Sequence, residues 1–563
     1  MSKTKKIELV FLWHMHQPDY RDHATGEFRR PWTYLHALKD YTDMAAHLER
    51  NPTMRAVVNF VPVLLDQIED YVRQFDAGIF RDPLLRLLAR ESLNDMDAAE
   101  RSLVLATCFP GNHARMVAPY PRFERLRNLY RQLDGQGETA TAYLSGSFFS
   151  DVLVWYHLVW TGETERRSRA LLAELMTRGE GFSLDDRRRL LSLMGDTLRE
   201  LIPRYRILAE RGQIELSATP DTHPLAPLLL DFSSAREAQP EISLPQAHFY
   251  PGGRSRIDRH IALARESHAR RFGHPPAGMW PAEGAVSTAF LQQLATQGCR
   301  WAASSQGVLA NSLLRGHNAP SKVHHYHPWR IEAAPGISVF FRDERLSDLI
   351  GFEYAKWHGR DAAQHFVDQL ARIRDEAPAG ETPLVCVILD GENAWEHYPY
   401  NAYFFFEDLY GLIAEQPWLV TTTCADWLAR NPDRCGNLPE LVAGSWVYGT
   451  FSTWIGDKDK NRAWDLLCAA KQAYDLVIDS GRLEDAAQRE AEAQLAVCEG
   501  SDWFWWFGDY NPREAVESFD ALFRANLAHL YRLLRLTEPP QLALPLSSGG
   551  GSPEGGGAMR RAS

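Results

Sequence analysis

Ionisable side chains follow short apolar runs of the sequence at four separate places, at positions where strands would end. In parallel α/β sheets and barrels, active sites lie at the carboxyl ends of the strands. A single histidine or glutamate at one strand end is more typical of a structural residue, but four such ends together favour a catalytic pocket. The residues concerned are His14, His16, His223, Glu283 and Asp390.

Two members of this set, Glu283 and Asp390, are carboxylic acids from different predicted strands. Such a pair suits glycoside hydrolysis, in which one ionised carboxylate attacks the anomeric carbon and the other carboxyl protonates the leaving oxygen. Trp280 and Trp395 lie close to the two acids in the sequence. Apolar neighbours of this kind raise a carboxyl pKa, so that the group stays protonated near neutral pH.

Seven apolar runs of strand length alternate with helical patterns such as those at 257–272 and 362–376. Strands that alternate with helices predict an α/β fold with a parallel sheet, either open or closed into a barrel. The number of runs favours a barrel with insertions. The predicted strands are 7–13, 56–61, 213–217, 278–280, 301–303, 337–341 and 384–389.

Three further regions differ in pattern from the alternating part of the chain. We predict a catalytic barrel at 1–425 that contains a helical insertion at about 81–209. Residues 426–540 have helical patterns with no strand between them, which predicts a C-terminal helical domain. The last stretch, 541–563, is rich in glycine and serine and is expected to be disordered.

The composition narrows the class of partner that the protein binds. The chain has 563 residues, of which 45% are hydrophobic and 24% charged, as is typical of a globular protein with more than one core. The net charge of -12 argues against nucleic acid as a partner. No apolar stretch approaches the ~20 residues that span a bilayer, so no membrane partner is expected. The oligomeric state is left open.

The cysteines and the N-terminal residues bear on the compartment. Seven cysteines are scattered without a C-x-x-C pair, which favours reduced thiols in a cytoplasm over a disulfide framework or a zinc site. The first apolar run contains Glu8 and reaches His14, so it is too short and too interrupted for a signal peptide. We therefore predict a cytoplasmic protein.

Five segments, taken together, resemble the motifs of glycoside hydrolase family 57. Their order and spacing agree with the family over the chain from about residue 10 to about residue 510. Two further stretches, at 341–352 and 444–456, resemble its amylopullulanase and α-amylase-like branch. The five segments are HMHQP at 14–18, GQIELSATPDTHP at 212–224, GMWPAE at 278–283, LDGENAWE at 389–396 and EGSDWFWWFGD at 499–509.

This resemblance implies an incomplete (β/α)7 barrel followed by a helical domain that completes the site. Glu283 falls on the catalytic nucleophile of the family and Asp390 on its general acid/base. The third segment reads Trp-Pro-Ala-Glu, whereas many members have other residues between the tryptophan and the glutamate. This departure leaves the assignment of the nucleophile unchanged.

Nine further residues in the matching segments are expected to bind the substrate. The histidines that match the cleavage subsite are His14, His16 and His223. Residues in segments that line family sites are Arg342, Trp446 and Asp502. The candidate sugar platforms are Trp280, Trp395 and Trp503, for which packing behind the carboxylates is an equally good interpretation.

The resemblance also implies an activity, namely retaining hydrolysis of α-1,4 bonds in α-glucans, with α-1,6 bonds open as a further target. The sequence has no clear metal or cofactor motif, so we predict that no cofactor or metal is required. Water and a sugar hydroxyl compete for the same intermediate, so a 4-α-glucanotransferase or branching enzyme is the main alternative. A metal-dependent deacetylase or mannosidase is less favoured, although His14, His16, His223 and Asp390 could in principle hold zinc. The last alternative is a glucan-binding protein without catalysis.

Overall fold

Seven parallel strands form a closed barrel in the computed structural model, which describes residues 5–109, 111–133, 141–317 and 324–551. Neighbouring strands pair in parallel around the ring, and the pairing of Cys386 with Arg342 closes it. The strands are β1 (Ile7–Met15), β2 (Ala56–Phe60), β3 (Ile214–Ala218), β4 (Gly278–Met279), β5 (Trp301–Ser305), β6 (Ser338–Arg342) and β7 (Leu384–Asp390). The predicted (β/α)7 barrel is therefore confirmed.

Side-chain alternation along β1 explains how the barrel presents residues at its mouth. Phe11 and Trp13 point outward, where Phe11 stacks on Phe366 of a surrounding helix at 5.9 Å. Val10 and Leu12 belong to the cluster that fills the barrel interior. The same alternation puts His14 on the inner face at the carboxyl end of β1, where it pairs in register with Asp390.

Helices follow each barrel strand, and the segment between β2 and β3 carries a long series of them. One of these, Leu184–Glu210, begins with a capping box in which Ser183 and Asp186 bond each other's backbone N–H groups. The helices as far as β3 are Trp32–His36, Ala37–Tyr41 (π-helical), Thr42–Arg50, Pro62–Ala77, Pro83–Ala89, Ala98–Cys108, His113–Met116, Pro121–Leu133, Gly146–Val159, Glu163–Ser168, Ala170–Arg178 and Leu184–Glu210.

The remaining helices cover the second half of the barrel and then form the C-terminal region. Those before residue 435 are Ala226–Leu230, Ala235–Ala238, Gly253–Phe272, Thr288–Thr296, Gln306–Arg315, Glu344–Asp348, Leu349–Glu353 (π-helical), Gly359–Glu376, Tyr403–Ala414 and Cys424–Arg430. Those of the C-terminal region are Lys458–Asp479, Asp485–Cys498, Asp502–Trp506 and Arg513–Leu533. Short strands outside the barrel are Arg21–Asp22, Glu27–Phe28, Trp329–Ile331, Leu419–Thr421 and Gly436–Leu438.

A buried ion cluster joins the C-terminal helices to the barrel side of the molecule. Glu499 is fully buried and contacts Arg256 Nη2 and His260 Nε2, each at 2.7 Å. Although burial opposes ionisation, the Arg256 charge and the hydrogen bonds from His260 and Arg256 hold the pKa of Glu499 well below its usual range. The carboxylate is therefore ionised, and it anchors the segment that leads into Asp502. The domain boundaries near residues 425 and 540 stay predictions.

The structure differs from the sequence prediction in the last segment of the chain. Residues 541–551 are packed rather than disordered, because Leu542 and Leu546 are buried within an otherwise glycine- and serine-rich stretch. Gly551 donates a backbone hydrogen bond to Asn511 at 3.0 Å. Residues 552–563, the rest of the predicted disordered tail, lie outside the described residues.

In the described part of the chain, no helix combines the length and the apolarity that a bilayer crossing requires.

Candidate active site

A cavity of about 630 Å³ lies at the carboxyl ends of the barrel strands, within the size range of small-ligand sites. Its wall contains Glu283 and Asp390, which β4 and β7 deliver to the barrel mouth. It also contains the histidines predicted from the strand ends: His14, His16 and His223. Side chains that are far apart in the sequence therefore meet in one place.

Three parts of the chain build the cavity wall, so the barrel alone does not complete the site. The segments at the ends of β1, β3, β4 and β7 supply the predicted ionisable residues His14, His16, His223, Glu283 and Asp390. The helical insertion supplies Ala106, Thr107, Gly111, Tyr156 and Trp160. The C-terminal region supplies Asp502, Trp505, Trp506, Pro512, Arg513, Glu514, Ala515 and Gly551.

Glu283 sits in a 3-10 turn directly after β4 and has a left-handed backbone with φ 58°. Such a conformation costs roughly 1–2 kcal/mol for a residue other than glycine and is typical of functional sites. Gly284 continues the turn with φ 59°, and a Cβ there would press on Trp280 and Trp446. Trp446 Nε1 donates to Glu283 Oε2 at 3.0 Å, and the Trp446 backbone N–H donates to the Glu283 carbonyl at 3.0 Å.

Asp390 is the last residue of β7, and Asn393 Nδ2 donates to its Oδ2 at 2.8 Å. The next residue is Gly391, where a Cβ would meet the sulfur of Met15 and force that side chain to move. The Gly391 backbone N–H donates to the His14 carbonyl at 2.8 Å. The Asp-Gly-Glu-Asn turn thus closes tightly against β1 and holds the Asp390 carboxyl at the cavity wall.

Burial makes both acids reluctant to ionise. It raises the pKa of Glu283 to about 8, with repulsion from Asp502 and Asp390 adding to the effect and the Trp446 hydrogen bond opposing it. It raises the pKa of Asp390 to about 6, against the lowering effects of Asn393, His16 and Arg342. Between these values the pair holds one proton in total.

A chain of hydrogen bonds runs through the buried histidines. Asn59 Oδ1 accepts from His14 Nδ1 at 2.6 Å, since the Asn59 amide nitrogen already donates to Ser217. Burial lowers the pKa of His14 to about 3 and that of His223 well below its usual value, so both rings are neutral. His14 Nε2 must then accept from His223 Nε2 at 3.2 Å. His223 Nδ1 in turn accepts from the Ser501 hydroxyl at 2.8 Å.

His16 differs from the other two histidines because one of its ring nitrogens is left without a protein partner. Its Nε2 donates to Asp502 Oδ1 at 2.9 Å, and its ring stacks on His223 with centroids 3.8 Å apart. Within the described part of the chain, His16 Nδ1 makes no hydrogen bond. This nitrogen is itself buried, so His16 meets the cavity through other atoms of its ring, and its side chain as a whole is 11% exposed.

The ligand atoms of His16, His223 and Asp502 lie within 4.8 Å of one another, which makes them the one candidate metal group found among the described residues. Hydrogen bonds already engage His16 Nε2, Asp502 Oδ1 and both ring nitrogens of His223, whereas His16 Nδ1 makes none. A metal bound through His16 Nε2 and Asp502 Oδ1 would have to displace the bond between them and either the Ser501 or the His14 bond of His223. The donor set therefore fits a hydrogen-bonded network better than a vacant metal centre.

Four of the predicted substrate-binding residues do not lie on the cavity wall. Trp280, Trp395 and Trp503 are at most 2% exposed, and the indole N–H groups of the last two donate to backbone carbonyls. Their rings pack behind the site, as the packing interpretation required, and the sugar-platform interpretation does not hold for them. Arg342 is also buried, where it donates to the Ile388 carbonyl and pairs with Asp348 at 2.8 Å. It acts on Asp390 through its charge rather than by contact with a ligand.

Other residues of the cavity wall were not predicted from the sequence. Trp505 and Trp506 lie in the same run as Trp503, but nothing in that run indicates which ring faces the cavity. Trp32 and Trp160 lie in stretches without a motif, and no sequence signal identifies them. Glu392, by contrast, belongs to the LDGENAWE segment at 389–396. It lines the cavity, although its side chain is only 2% exposed. Burial raises its pKa well above the usual value, and the neighbouring carboxyls of Asp390 and Asp40 add to this rise.

The shared proton predicts a bell-shaped pH dependence of kcat/KM on maltoheptaose. Below about pH 6 both carboxyls are protonated, and above about pH 8 neither holds a proton for the leaving group. Activity should therefore be greatest between these values. On an aryl maltoside with a good leaving group, the alkaline limb should flatten. A profile that stays level from pH 5 to pH 9 on maltoheptaose would contradict this reading of the pair.

The fold and the cavity together define a class of protein. A parallel barrel whose mouth holds two buried carboxyls among neutral histidines and tryptophans is an arrangement of enzymes that act on glycosidic bonds. The sequence profile described as glycosyl hydrolase family 57 matches residues 10–436. The chain belongs to this family. It is therefore an enzyme of the glycoside hydrolase class.

Solved structures of the same fold match this chain over nearly its whole length. A branching enzyme of this family from Thermococcus kodakaraensis, in complex with glucose, is 16% identical with a TM-score of 0.56, covering 93% of this chain and 90% of that one. A branching enzyme from Pyrococcus horikoshii is 17% identical with a TM-score of 0.55, covering 99% and 98%. An α-amylase from Thermotoga maritima is 14% identical with a TM-score of 0.55, covering 96% and 94%. No curated protein sequence matches the chain significantly.

Proposed function

We propose that this enzyme cleaves α-1,4 glucosidic bonds of α-glucans with retention of configuration. The observation that carries the proposal is the presence of Glu283 and Asp390 on one cavity wall, each with its own hydrogen-bond donor. The solved structures of similar fold support the substrate class, since they include an α-amylase and branching enzymes. Glu283 is the proposed nucleophile and Asp390 the proposed general acid/base.

In the first step, the ionised Glu283 carboxylate attacks the anomeric carbon while Asp390 gives its proton to the glycosidic oxygen. The bond from the anomeric carbon to that oxygen breaks, and the shortened glucan leaves with the proton. In the reactive state the shared proton is on Asp390. Substrate binding must therefore favour protonation of Asp390 over protonation of Glu283. The Trp446 N–H, which donates to Glu283, favours the ionised nucleophile.

In the second step, Asp390 takes a proton from water, and the resulting hydroxide attacks the anomeric carbon to release Glu283. Two inversions at the same carbon give net retention. The mechanism predicts carboxyl groups about 5–5.5 Å apart. We assign sugar binding beside the reacting carbon to His16 and Asp502. His14 and His223 act as the neutral support that orients His16.

A 4-α-glucanotransferase or branching activity is the second candidate function, and the aromatic lining of the cavity supports it. The same intermediate can be attacked by a sugar hydroxyl in place of water. Trp32, Trp160, Trp505 and Trp506 line the cavity and offer aromatic surface to an acceptor sugar. An acceptor held there would exclude water from the intermediate. Cleavage of α-1,6 bonds is part of the same proposal. It depends on whether an α-1,6 linkage fits between the carboxyl groups of Glu283 and Asp390.

Product analysis of the purified protein separates these activities. Incubation with maltoheptaose, soluble starch and pullulan should yield shorter reducing glucans if the enzyme hydrolyses its substrate. Chains longer than maltoheptaose would identify a transferase, and new α-1,6 linkages in the starch product would identify a branching enzyme. A Glu283→Gln sample measured in parallel accounts for contaminating amylase. Absence of every one of these products on all three substrates would refute an α-glucan-active enzyme.

Activity should be unaffected by chelation. His16 Nε2, Asp502 Oδ1 and both ring nitrogens of His223 already form hydrogen bonds, which a metal at these atoms would have to displace. Turnover of maltoheptaose after dialysis against EDTA should equal that of the untreated enzyme. Loss of activity that added Zn²⁺ restores would instead show that cleavage of the glucan depends on a metal.

A further inference from the structure

A histidine and an aspartate meet at the cavity wall where the helix Trp32–His36 runs directly into the π-helical turn Ala37–Tyr41. Turns of this kind are rare and occur frequently at functional sites. The turn contains Asp40, which is fully buried and contacts His36, a residue of the cavity wall. Neither residue takes part in the two proposed steps of bond cleavage, so the pair needs another explanation.

Asp40 fixes the ring of His36. Its Oδ2 accepts from His36 Nδ1 at 2.7 Å, and its Oδ1 accepts from Lys39 Nζ at 2.8 Å. Trp160 packs edge-on against the imidazole, with ring centroids 5.3 Å apart and planes at 88°. Because Nδ1 carries the hydrogen in the bond to Asp40, Nε2 of the neutral ring is a hydrogen-bond acceptor. The position of the ring and its tautomer are therefore both set.

The Nε2 atom of His36 is available to a ligand in the cavity. It makes no hydrogen bond with the residues that the structure describes. His16 Nδ1 is sealed from solvent, whereas His36 Nε2 keeps accessible surface. The Nδ1 edge of the ring is turned to Asp40, and the side chain, 11% exposed, lines the cavity. The opposite edge, which carries Nε2, therefore faces the cavity.

The neighbouring carboxyls show on which side of the acid/base His36 lies. Burial and charge repulsion, including that of Asp390, raise the pKa of Glu283. Burial, followed by repulsion from Asp390 and then Asp40, raises the pKa of Glu392. Asp390 is thus close to both glutamates, whereas Asp40 and its partner His36 lie on the side of Glu392. His36 is therefore separated from the nucleophile by the acid/base.

This position is on the leaving-group side of the bond to be cleaved. A general acid stands beside the glycosidic oxygen, and the sugars of the leaving glucan begin at that oxygen. Trp32 lies four residues before His36 in the same helix, so the two side chains share one face, and both line the cavity. An aromatic ring beside a fixed acceptor suits a sugar, which has an apolar face and hydroxyl donors.

We propose that His36, oriented by Asp40, binds the sugar on the leaving-group side of the scissile bond by accepting a hydrogen bond from one of its hydroxyls. The inference rests on the proposed function for its ligand class and for the role of Asp390. In hydrolysis this sugar is the first unit of the leaving glucan. In transfer, an acceptor glucan occupies the same place. His36 is therefore a binding residue that favours cleavage of oligosaccharides and transfer to sugars.

Two substitutions separate this role from a structural one. In His36→Asn the amide matches Nδ1 and keeps the bond to Asp40, but nothing replaces Nε2. In His36→Gln the amide reaches the Nε2 position and loses the bond to Asp40. We expect the ratio of kcat/KM for maltoheptaose to kcat/KM for an aryl maltoside to fall roughly tenfold in His36→Asn and less in His36→Gln, because an aryl group offers no hydroxyl to His36.

The order of the two effects decides between the roles. A larger loss in His36→Gln than in His36→Asn would show that only the bond to Asp40 matters, and it would overturn the proposal. An equal loss on both substrates would overturn it as well. His248→Asn, which changes an exposed histidine, is the matched control and should keep the wild-type ratio.

Partition of the glycosyl-enzyme gives an independent measurement. With an aryl maltoside labelled in its maltosyl part and maltotriose as acceptor, labelled maltopentaose relative to labelled maltose should fall roughly tenfold in His36→Asn. Partial loss of folded protein cancels in this ratio, because both products come from the same enzyme molecules. His36→Ala takes the place of His36→Asn if the latter does not fold. If the wild type forms no transfer product, the substrate ratio decides.

The outcomes for this inference and for the proposed function are distinct. A wild-type enzyme that cleaves both substrates, with ratios that the His36 substitutions leave unchanged, overturns the role of His36 and leaves the proposed function intact. A wild-type enzyme that cleaves neither maltoheptaose nor the aryl maltoside refutes the proposed function, and the role of His36 falls with it.

Discussion

Replacement of Glu283 by glutamine is expected to lower kcat on maltoheptaose by several orders of magnitude. The amide keeps the shape of the carboxyl and can still bond Trp446 Nε1 through its oxygen, but it cannot attack the anomeric carbon. Initial rates of reducing-end release at pH 7 measure the effect. Glu241→Gln changes an exposed glutamate and is the matched control. A Glu283→Gln enzyme with near wild-type activity would end the assignment of the nucleophile.

The same substitution should leave the protein folded and at least as stable as wild type at pH 7. Burial raises the pKa of Glu283 to about 8, above the value of about 4.3 for an unfolded glutamate. Such a group favours the folded state below its unfolded pKa and opposes folding increasingly as the pH rises from that value towards the folded one. Glutamine has no proton to lose, so its Tm should not fall. A large drop in Tm would mean that lost activity reflects unfolding rather than chemistry.

Replacement of Asp390 by asparagine is expected to lower kcat/KM on maltoheptaose by about 10²–10⁴-fold, the usual contribution of a positioned acid or base. The amide cannot protonate the glycosidic oxygen. On an aryl maltoside with a good leaving group, the first step no longer needs that proton. A rapid burst of the released phenol should therefore precede slow turnover, because the second step still lacks its base.

Azide provides the complementary readout for Asp390. As an anion it needs no deprotonation, so it should restore turnover of the Asp390→Asn enzyme on the aryl substrate and form an α-glycosyl azide. Asn393→Ala is the informative companion, since it removes the amide that bonds Asp390 but keeps the acid. It should shift the pH profile without producing the burst. Absence of both the burst and the azide effect in Asp390→Asn would count against its role as acid/base.

The proposed division of labour at the site depends on three parts of the chain. Ser501 and Asp502 reach the histidines from the C-terminal region, and Trp160 reaches the cavity from the helical insertion. In this arrangement the barrel supplies the reacting groups. The helical insertion and the C-terminal region govern which molecules enter the cavity beside the donor glucan. We therefore expect the balance between transfer and hydrolysis to depend on the added regions, which are the parts that vary most easily among barrel enzymes.

Much of the fold and the reacting pair follow from the sequence by itself. Strands buried on both faces consist of near-continuous apolar residues, so β1 and β7 are visible as apolar runs. Because a parallel barrel directs all carboxyl strand ends to one side, Glu283 and Asp390 could be placed together without any knowledge of contacts. These predictions depend only on local pattern and chain direction.

The remaining features were decided by the tertiary structure. Trp280 and Trp446 are both tryptophans near the nucleophile, yet one is buried behind it and the other lines the cavity and donates to it. Which face of a ring meets solvent depends on the packing of elements that are distant in the sequence, and no local pattern records that packing. For the same physical reason, the cavity residues Trp32 and Trp160 became visible only once the insertion was folded against the barrel.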